Sequence, residues 1–298
     1  MGVGPSGLED RPQSAWIPEV TETEVGYGIV GAGRLGQALA RRLAQNGASP
    51  GTLYSTSPER AGALAAELGW TAQSSAREVL ALSRVTMLCV PDGALTRLVR
   101  QLSEENHLAE RIVVHCAGSR GLEPLSPLRE EGCLVGVFHP LAPIPDGDPA
   151  SLDGTFISIE SEPQARAELL DLACLLDCQV IEVQGLDRPL YHAAAVFAGV
   201  LPVLLESLAE RLGDAAGGGP DVSRALRALY SASARNVERL GPERGLSGPL
   251  QRRDQGTVGA HLAALSGFDP ALGEIYQAIQ EAARPAPADH TGKEVASG

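Results

Sequence analysis

The sequence predicts an α/β fold, a Rossmann-type doubly wound and mostly parallel sheet followed by an all-helical C-terminal domain. Three observations predict it. Tyr27-Gly28-Ile29-Val30 is a short apolar run that enters Gly31-Ala32-Gly33-Arg34-Leu35-Gly36, and a helical pattern continues from Gln37 to Gln45. Apolar runs then alternate with helical patterns to about residue 184, as a parallel sheet covered on both faces requires. From about Leu186 the pattern is helical only.

The first element is a G-x-G-x-x-G turn between a strand and a helix. In that setting Gly31 permits the tight turn and Gly33 leaves room for a pyrophosphate. Gly36 lets helix and strand pack closely. The N–H groups around Ala32, Arg34 and Leu35 open the helix toward an anion. The second strand is Thr52–Tyr54, followed by Ser55-Thr56-Ser57-Pro58-Glu59-Arg60. No acid occupies the usual ribose-binding place at the strand end. Ser55, Thr56, Ser57 and Arg60 instead suit a 2′-phosphate, which favours NADP over NAD. The same hydroxyls also suit a cap for a helix at Glu59 to Leu68.

Further strands are expected at Val85–Val90, Ile112–Cys116, Leu134–Phe138, Thr155–Glu160 and Gln179–Val183, with a helix from Gln164 to Leu176. Asp187 is placed to cap a long helix through Leu212, kinked at Pro202. Val222, Leu226, Leu229, Val237 and Leu240 mark the next helix, and two more follow at Thr257–Leu265 and Pro270–Ala283. The expected organisation is a disordered segment at 1–24, a nucleotide domain at 25–184, a helical substrate or dimerisation domain at 185–284 and a disordered tail at 285–298.

Composition narrows the partners. The 298 residues carry 24 Lys and Arg against 37 Asp and Glu, a net charge of −13 that disfavours nucleic acid and anionic membrane. The five cysteines form no metal-like cluster and fit reduced thiols, so no metal is expected and a cytoplasmic location is. The N-terminal residues lack the basic and apolar regions of a signal peptide. Ala193–Leu205 is uncharged but short of a membrane span, and reads as a buried helix. The apolar helical half suits a homodimer interface or one buried bundle.

Ligands of open parallel sheets lie beyond the carboxyl ends of the strands. That rule selects Val90, Pro91 and Asp92, then Cys116 and Gly118, then His139, all facing the crevice of Gly31–Gly36. His139 is a candidate proton donor, although an X-Pro step alone explains an extended residue there. His115 falls inside a strand and is equally a satisfied core residue. Tyr191 and His192, in the first turn of the long helix, are candidates for substrate contact and proton transfer. His107 reads as a solvated surface residue.

The run from Gly31 through His139-Pro140-Leu141 and Tyr191-His192-Ala193-Ala194-Ala195-Val196-Phe197-Ala198 resembles the Rossmann-like proteins with an uncharacterised C-terminal helical domain. These are related to the ketopantoate reductase, pyrroline-carboxylate reductase and β-hydroxyacid dehydrogenase group. Gly248-Pro249-Leu250-Gln251-Arg252-Arg253-Asp254-Gln255-Gly256-Thr257-Val258-Gly259-Ala260-His261-Leu262 is similar to the late signature of that family. The family usually has Gly where Arg253 stands, and an Asn where Val200 stands. The resemblance implies an NADP-dependent oxidoreductase moving a hydride between NADPH and a small ketopantoate-like 2-oxo acid or imine. Arg252 would hold a carboxylate, Asp254 would fix Arg252 or cap a helix, and His261 would line the site. Val200 and Arg253 motivate the alternative of a non-catalytic NADP(H)-binding sensor or partner-binding dimer.

Overall fold

The computed structural model describes residues 25–104 and 108–283. The two terminal segments expected to be disordered, and His107, lie outside the described residues. The chain divides into two compact units at Leu204/Leu205, one helix later than the sequence boundary at residue 184.

The first unit holds an eight-stranded sheet in the order β3-β2-β1-β4-β5-β6-β7-β8. Its strands are β1 (Val25–Val30), β2 (Thr52–Tyr54), β3 (Thr71–Ala72), β4 (Ser83–Leu88), β5 (Ile112–His115), β6 (Leu134–Pro140), β7 (Phe156–Ser161) and β8 (Gln179–Glu182). All neighbouring pairs are parallel except β6 and β7. The helices are α1 (Arg34–Gln45), α2 (Pro58–Leu68), α3 (Ala76–Leu82), α4 (Asp92–Leu102), α5 (Ser126–Glu130), α6 (Arg166–Leu175) and α7 (Arg188–Gly199). β3 and α3 had no counterpart in the sequence expectations, since runs of two and seven residues are too short for a periodic signal.

One apolar cluster, with Ile29, Leu39, Leu43, Met87 and Phe138, covers one face of the sheet. The other, with Val30, Val79, Leu95, Val99 and Val135, covers the opposite face. This two-sided cover explains the continuous apolar runs of β4, β5 and β6. Alternate residues of those strands enter different clusters.

Two expectations change. The helix expected from Asp187 through Leu212 is interrupted at Val200, with α8 (Leu201–Ala215) beginning immediately before Pro202. A proline in the first turn is conformationally easy, so the chain restarts a helix there instead of kinking one. Second, Ala193–Leu205 is not buried. Phe197 is 71% exposed and Val203 59%. The segment Arg188–Ala215 reaches a mean hydropathy of 1.7, long and apolar enough by composition to cross a membrane.

The second unit contains most of α8, then α9 (Gly219–Leu240), α10 (Pro242–Gly245), α11 (Gln255–Phe268) and α12 (Pro270–Ala282). Asp254 and Asp269 cap the last two helices through bonds from Thr257 N (3.0 Å) and Ala271 N (3.1 Å). Leu272 is the one buried apolar side chain among the described residues of this unit.

Candidate functional site

The glycine-rich turn has the geometry its sequence requires. Gly31 has φ +113°, and a Cβ there would meet Cys89 O at 2.3 Å. A Cβ on Gly36 would lie 1.9 Å from Gly31 O, so only glycine lets α1 pack on β1. Gly33 differs, since nothing lies within 4 Å of its missing Cβ. It stands at the N-cap of α1 with no side chain capping the turn and no acid following. Free backbone donors facing open space form a cradle that fits a diphosphate. Ala32 is buried beneath this turn, Leu35 is half-buried, and the exposed Arg34 has no side-chain partner among the described residues.

At the end of β2, Ser57 caps α2 by accepting from Arg60 N at 3.5 Å, and donates to Glu59 Oε2 at 2.9 Å. That bond and the backbone at Glu59 hold its carboxyl below the ordinary carboxylate range, the backbone acting more strongly. Ser55 Oγ accepts from Ser57 N at 3.3 Å. The guanidinium of Arg60 has no partner among the described residues, and both it and Thr56 are exposed. The capping role is thus the one these hydroxyl bonds show.

The next three strand ends meet as expected. Val90 and Pro91 lead into α4, and Asp92 accepts from Ser119 Oγ at 2.6 Å. Cys116 is buried, with its Sγ 3.8 Å from that of Cys89. His115 is fully buried and satisfied. Its Nδ1 accepts from Ala117 N (3.2 Å), so Nε2 donates to Gly121 O (2.8 Å). This is the core role weighed for it.

Gly118 is where the site closes. A Cβ there would lie 2.6 Å from His139 Nε2 and 2.7 Å from His192 Cδ2. The absent side chain thus admits two imidazole rings. Their centroids are 5.8 Å apart, and Tyr191 stands edge-on to His139 at 6.1 Å. Burial, then the neighbouring His192 and Arg188, push the His139 pKa down to about 4. His139 is therefore neutral at physiological pH, which removes an imidazolium proton from the role first expected of it.

Three residues that the sequence did not single out, Ser158, Glu160 and Arg188, complete the cluster. Because β7 runs antiparallel to β6, Ser158 lies opposite His139 and Glu160 opposite Val137. Glu160 Oε2 accepts from Arg188 Nε (2.9 Å) and Nη2, tying the first residue of α7 to the sheet. The Arg188 guanidinium lies over the Tyr191 ring at 5.8 Å. Eight buried side-chain polar atoms among the described residues have no hydrogen-bond partner, and four belong here: His139 Nδ1, Ser158 Oγ, Arg188 Nη1 and Tyr191 Oη. Buried polar atoms are nearly always paired, so this concentration marks a place for a ligand. An open cavity of about 640 Å³ adjoins the cluster, lined by Ser119–Glu123, Glu160 and Gly185–Pro189.

Arg252, Asp254 and His261 lie in the second unit. Asp254 also accepts from Thr257 Oγ1 at 2.8 Å, giving it the capping role. His261 Nδ1 is 3.1 Å from Tyr276 Oη, and Arg252 is exposed. Arg253, at the family's glycine position, has φ +57°. That left-handed backbone is the physical reason glycine is favoured there.

Comparison with known domain families now decides the affiliation. A Rossmann-like domain model matches residues 9–140, and that of a domain of unknown function, DUF2520, matches residues 155–283. The chain thus carries a stretch that matches Rossmann-like domains, followed by one that matches DUF2520 domains. No curated protein matches it. Among solved structures, it is similar to a Bacteroides fragilis protein provisionally named an NADP oxidoreductase. Identity is 25% over 87% of this chain and 98% of that one, with a TM-score of 0.73. A reductive aminase from Aspergillus terreus, in complex with NADPH and ethyl-5-oxohexanoate, has 17% identity, covers 87% and 92%, and has a TM-score of 0.56. A pyrroline-5-carboxylate reductase from Coxiella burnetii has 14% identity over 88% and 99%, with a TM-score of 0.57. The fold is shared across this group.

Proposed function

We propose that this DUF2520-containing chain is an NADP-dependent oxidoreductase that reduces a small 2-oxo acid or imine of ketopantoate-like size. One observation carries the reading. The open glycine cradle and the half-buried ring cluster of His139, Tyr191 and His192 lie at the carboxyl ends of strands in one sheet, where dinucleotides and their substrates bind in such folds. The NADP oxidoreductase and reductive aminase names of the similar structures support it.

Gly31–Gly36 would hold the diphosphate, and Ser55, Thr56, Ser57 and Arg60 the 2′-phosphate. Val90, Pro91, Asp92, Cys116 and Gly118 would border the nicotinamide end. Bound NADPH supplies the hydride. The chain supplies orientation, dryness and a proton. His192 is the proton donor in this reading, with Tyr191 Oη positioned to bind the substrate oxygen or nitrogen. His139, being neutral, accepts or donates a hydrogen bond without adding a charge. Arg252, Asp254 and His261 are proposed to contribute from the helical domain.

We also propose that this domain pairs with a second copy of the chain. A unit whose described residues bury only Leu272 among their apolar side chains has no self-sufficient core. The aqueous ion pairs Glu210–Arg227 (2.6 Å) and Arg211–Asp269 (2.7 Å) favour a protein partner over lipid. The alternative of a non-catalytic NADP(H) sensor draws on Val200 at the family's Asn position.

Titration with NADPH and NADH, followed by NADPH oxidation over a panel of 2-oxo acids and cyclic imines, tests the reading. Tight NADPH binding with turnover is expected. Binding without turnover on any member would favour the sensor, and binding of neither nucleotide would sink both. Arg60→Glu should weaken NADPH by roughly 10- to 100-fold with little effect on NADH, from the loss of a charge-assisted bond. Equal loss for both nucleotides would refute the 2′-phosphate assignment.

A further inference from the structure

The geometry points to Arg188 as the receptor for an anionic group of the substrate, a carboxylate held beside His139 and Tyr191. The inference rests on the oxidoreductase reading for its biological meaning, but its test reads binding and not turnover.

Arg188 is 6% exposed although it is fully charged, and such a residue remains buried only when paired. Its pairing is half complete. Both bonds to Glu160 come from Nε and Nη2 and converge on the single oxygen Oε2. A guanidinium is a planar fork with donors on two edges. Glu160 takes the Nε/Nη2 edge, which leaves the Nη1/Nη2 edge for a second planar acceptor, and Nη1 has no partner. Carboxylates match that edge bidentately, which a ketone oxygen or a single water does not.

The surroundings suit the same ligand. Tyr191 Oη and Ser158 Oγ are further unpartnered buried groups in the cluster, able to donate to the other end of a small 2-oxo acid. Arg120, which has no ion-pair partner among the described residues, lies on the rim of the adjoining cavity, with Glu123 and Asp187 also on that rim. Asp187 is engaged in capping α7, accepting from Leu190 N at 3.0 Å. Glu160 is a positioning residue in this scheme, since it fixes the guanidinium and leaves one edge free. Arg252, the anchor suggested by the family signature, is exposed and lacks any comparable enclosure.

The experiment is an equilibrium titration of the protein saturated with NADP⁺, a state in which a 2-oxo acid binds without being reduced. 2-Oxoisovalerate is compared with its neutral amide for the wild type, Arg188→Gln and Arg188→Lys, with the dissociation constant of NADPH measured for each. The wild type should prefer the acid by at least 10-fold. Arg188→Gln should abolish that preference while leaving NADPH affinity within about twofold. Arg188→Lys keeps the charge but not the fork, so it should lose most of the preference and serves if the Gln variant does not fold. An undiminished preference in either Arg188 variant, or no acid preference in the wild type, would overturn the assignment. Failure of turnover with these binding results intact would instead count against the oxidoreductase reading alone.

Discussion

The two units use apolar residues in opposite ways. In the first, Phe138, Leu39, Leu43 and Met87 are completely buried between sheet and helices. In the second, Leu229 is 64% exposed, and α8, α9 and α11 bury no residue completely. The difference lies in the company each helix keeps. A sheet offers two broad faces that complete an amphipathic helix within one chain, whereas α8, α9 and α11 find no such cover for their apolar residues. The first unit is built to fold around a cofactor site. The second leaves its apolar residues uncovered, and the exposed face of α7 extends that property to the edge of the His139 cluster.

The contrast is broken or confirmed most directly by truncating one large apolar residue in each setting. Phe138→Ala should cost about 3–5 kcal/mol, read as the free energy of chemical unfolding, because it empties a fully enclosed site. Phe197→Asp should leave the unfolding of dilute monomer within about 0.5 kcal/mol, the usual range for an exposed position. In sedimentation equilibrium the same variant should dissociate the dimer. A wild type that is monomeric at all concentrations, or extracts only with detergent, would remove the second copy as the partner of this face.

Acid should separate the units next. The His139 pKa lies near 4 in the folded chain against about 6.5 when unfolded, so the unfolded state binds the extra proton between those values. The stabilisation is fully present above pH 6.5 and is lost as pH falls toward 4, amounting to about 2–3 kcal/mol. Thermal unfolding of the sheet unit at pH 7 and at pH 4.5 should show this loss, and His139→Gln should shrink it. An equal acid response in the variant would assign the effect to other groups.

Much of the first unit was legible because its signals are local. A glycine pattern between strand and helix, and apolar runs broken at Pro91 and His139-Pro140, give both topology and crevice. Ser158 and Glu160 were legible in principle, as polar residues alternating with Ile157 and Ile159 on a strand whose reversal turns them toward His139. Arg188 was not. Its importance depends on a pairing 28 residues away and on burial, neither of which leaves a periodic trace. The exposure of Ala193–Leu205 was misread for a related reason. An apolar helix has the same sequence whether its own chain or another covers it.

The smallest effect probes the helical unit at its one left-handed arginine. Arg253 has φ +57° in the turn closed by its own N–H to Leu250 O (3.2 Å) and by Asp254 N to Pro249 O (2.9 Å). A side chain in that conformation costs about 1–2 kcal/mol. Glycine removes this cost but loses about 0.5–1 kcal/mol through the greater freedom of its unfolded chain. Arg253→Gly should therefore stabilise the protein by about 0.5–1 kcal/mol, raising the Tm of the helical unit by a few degrees. The exposed guanidinium has no hydrogen bond or ion pair among the described residues to oppose this. If the variant proves less stable, the arginine must be held by a group outside its own chain. A concentration-dependent loss would then place Arg253 in the contact between two copies, with the strain kept for association and not for the fold.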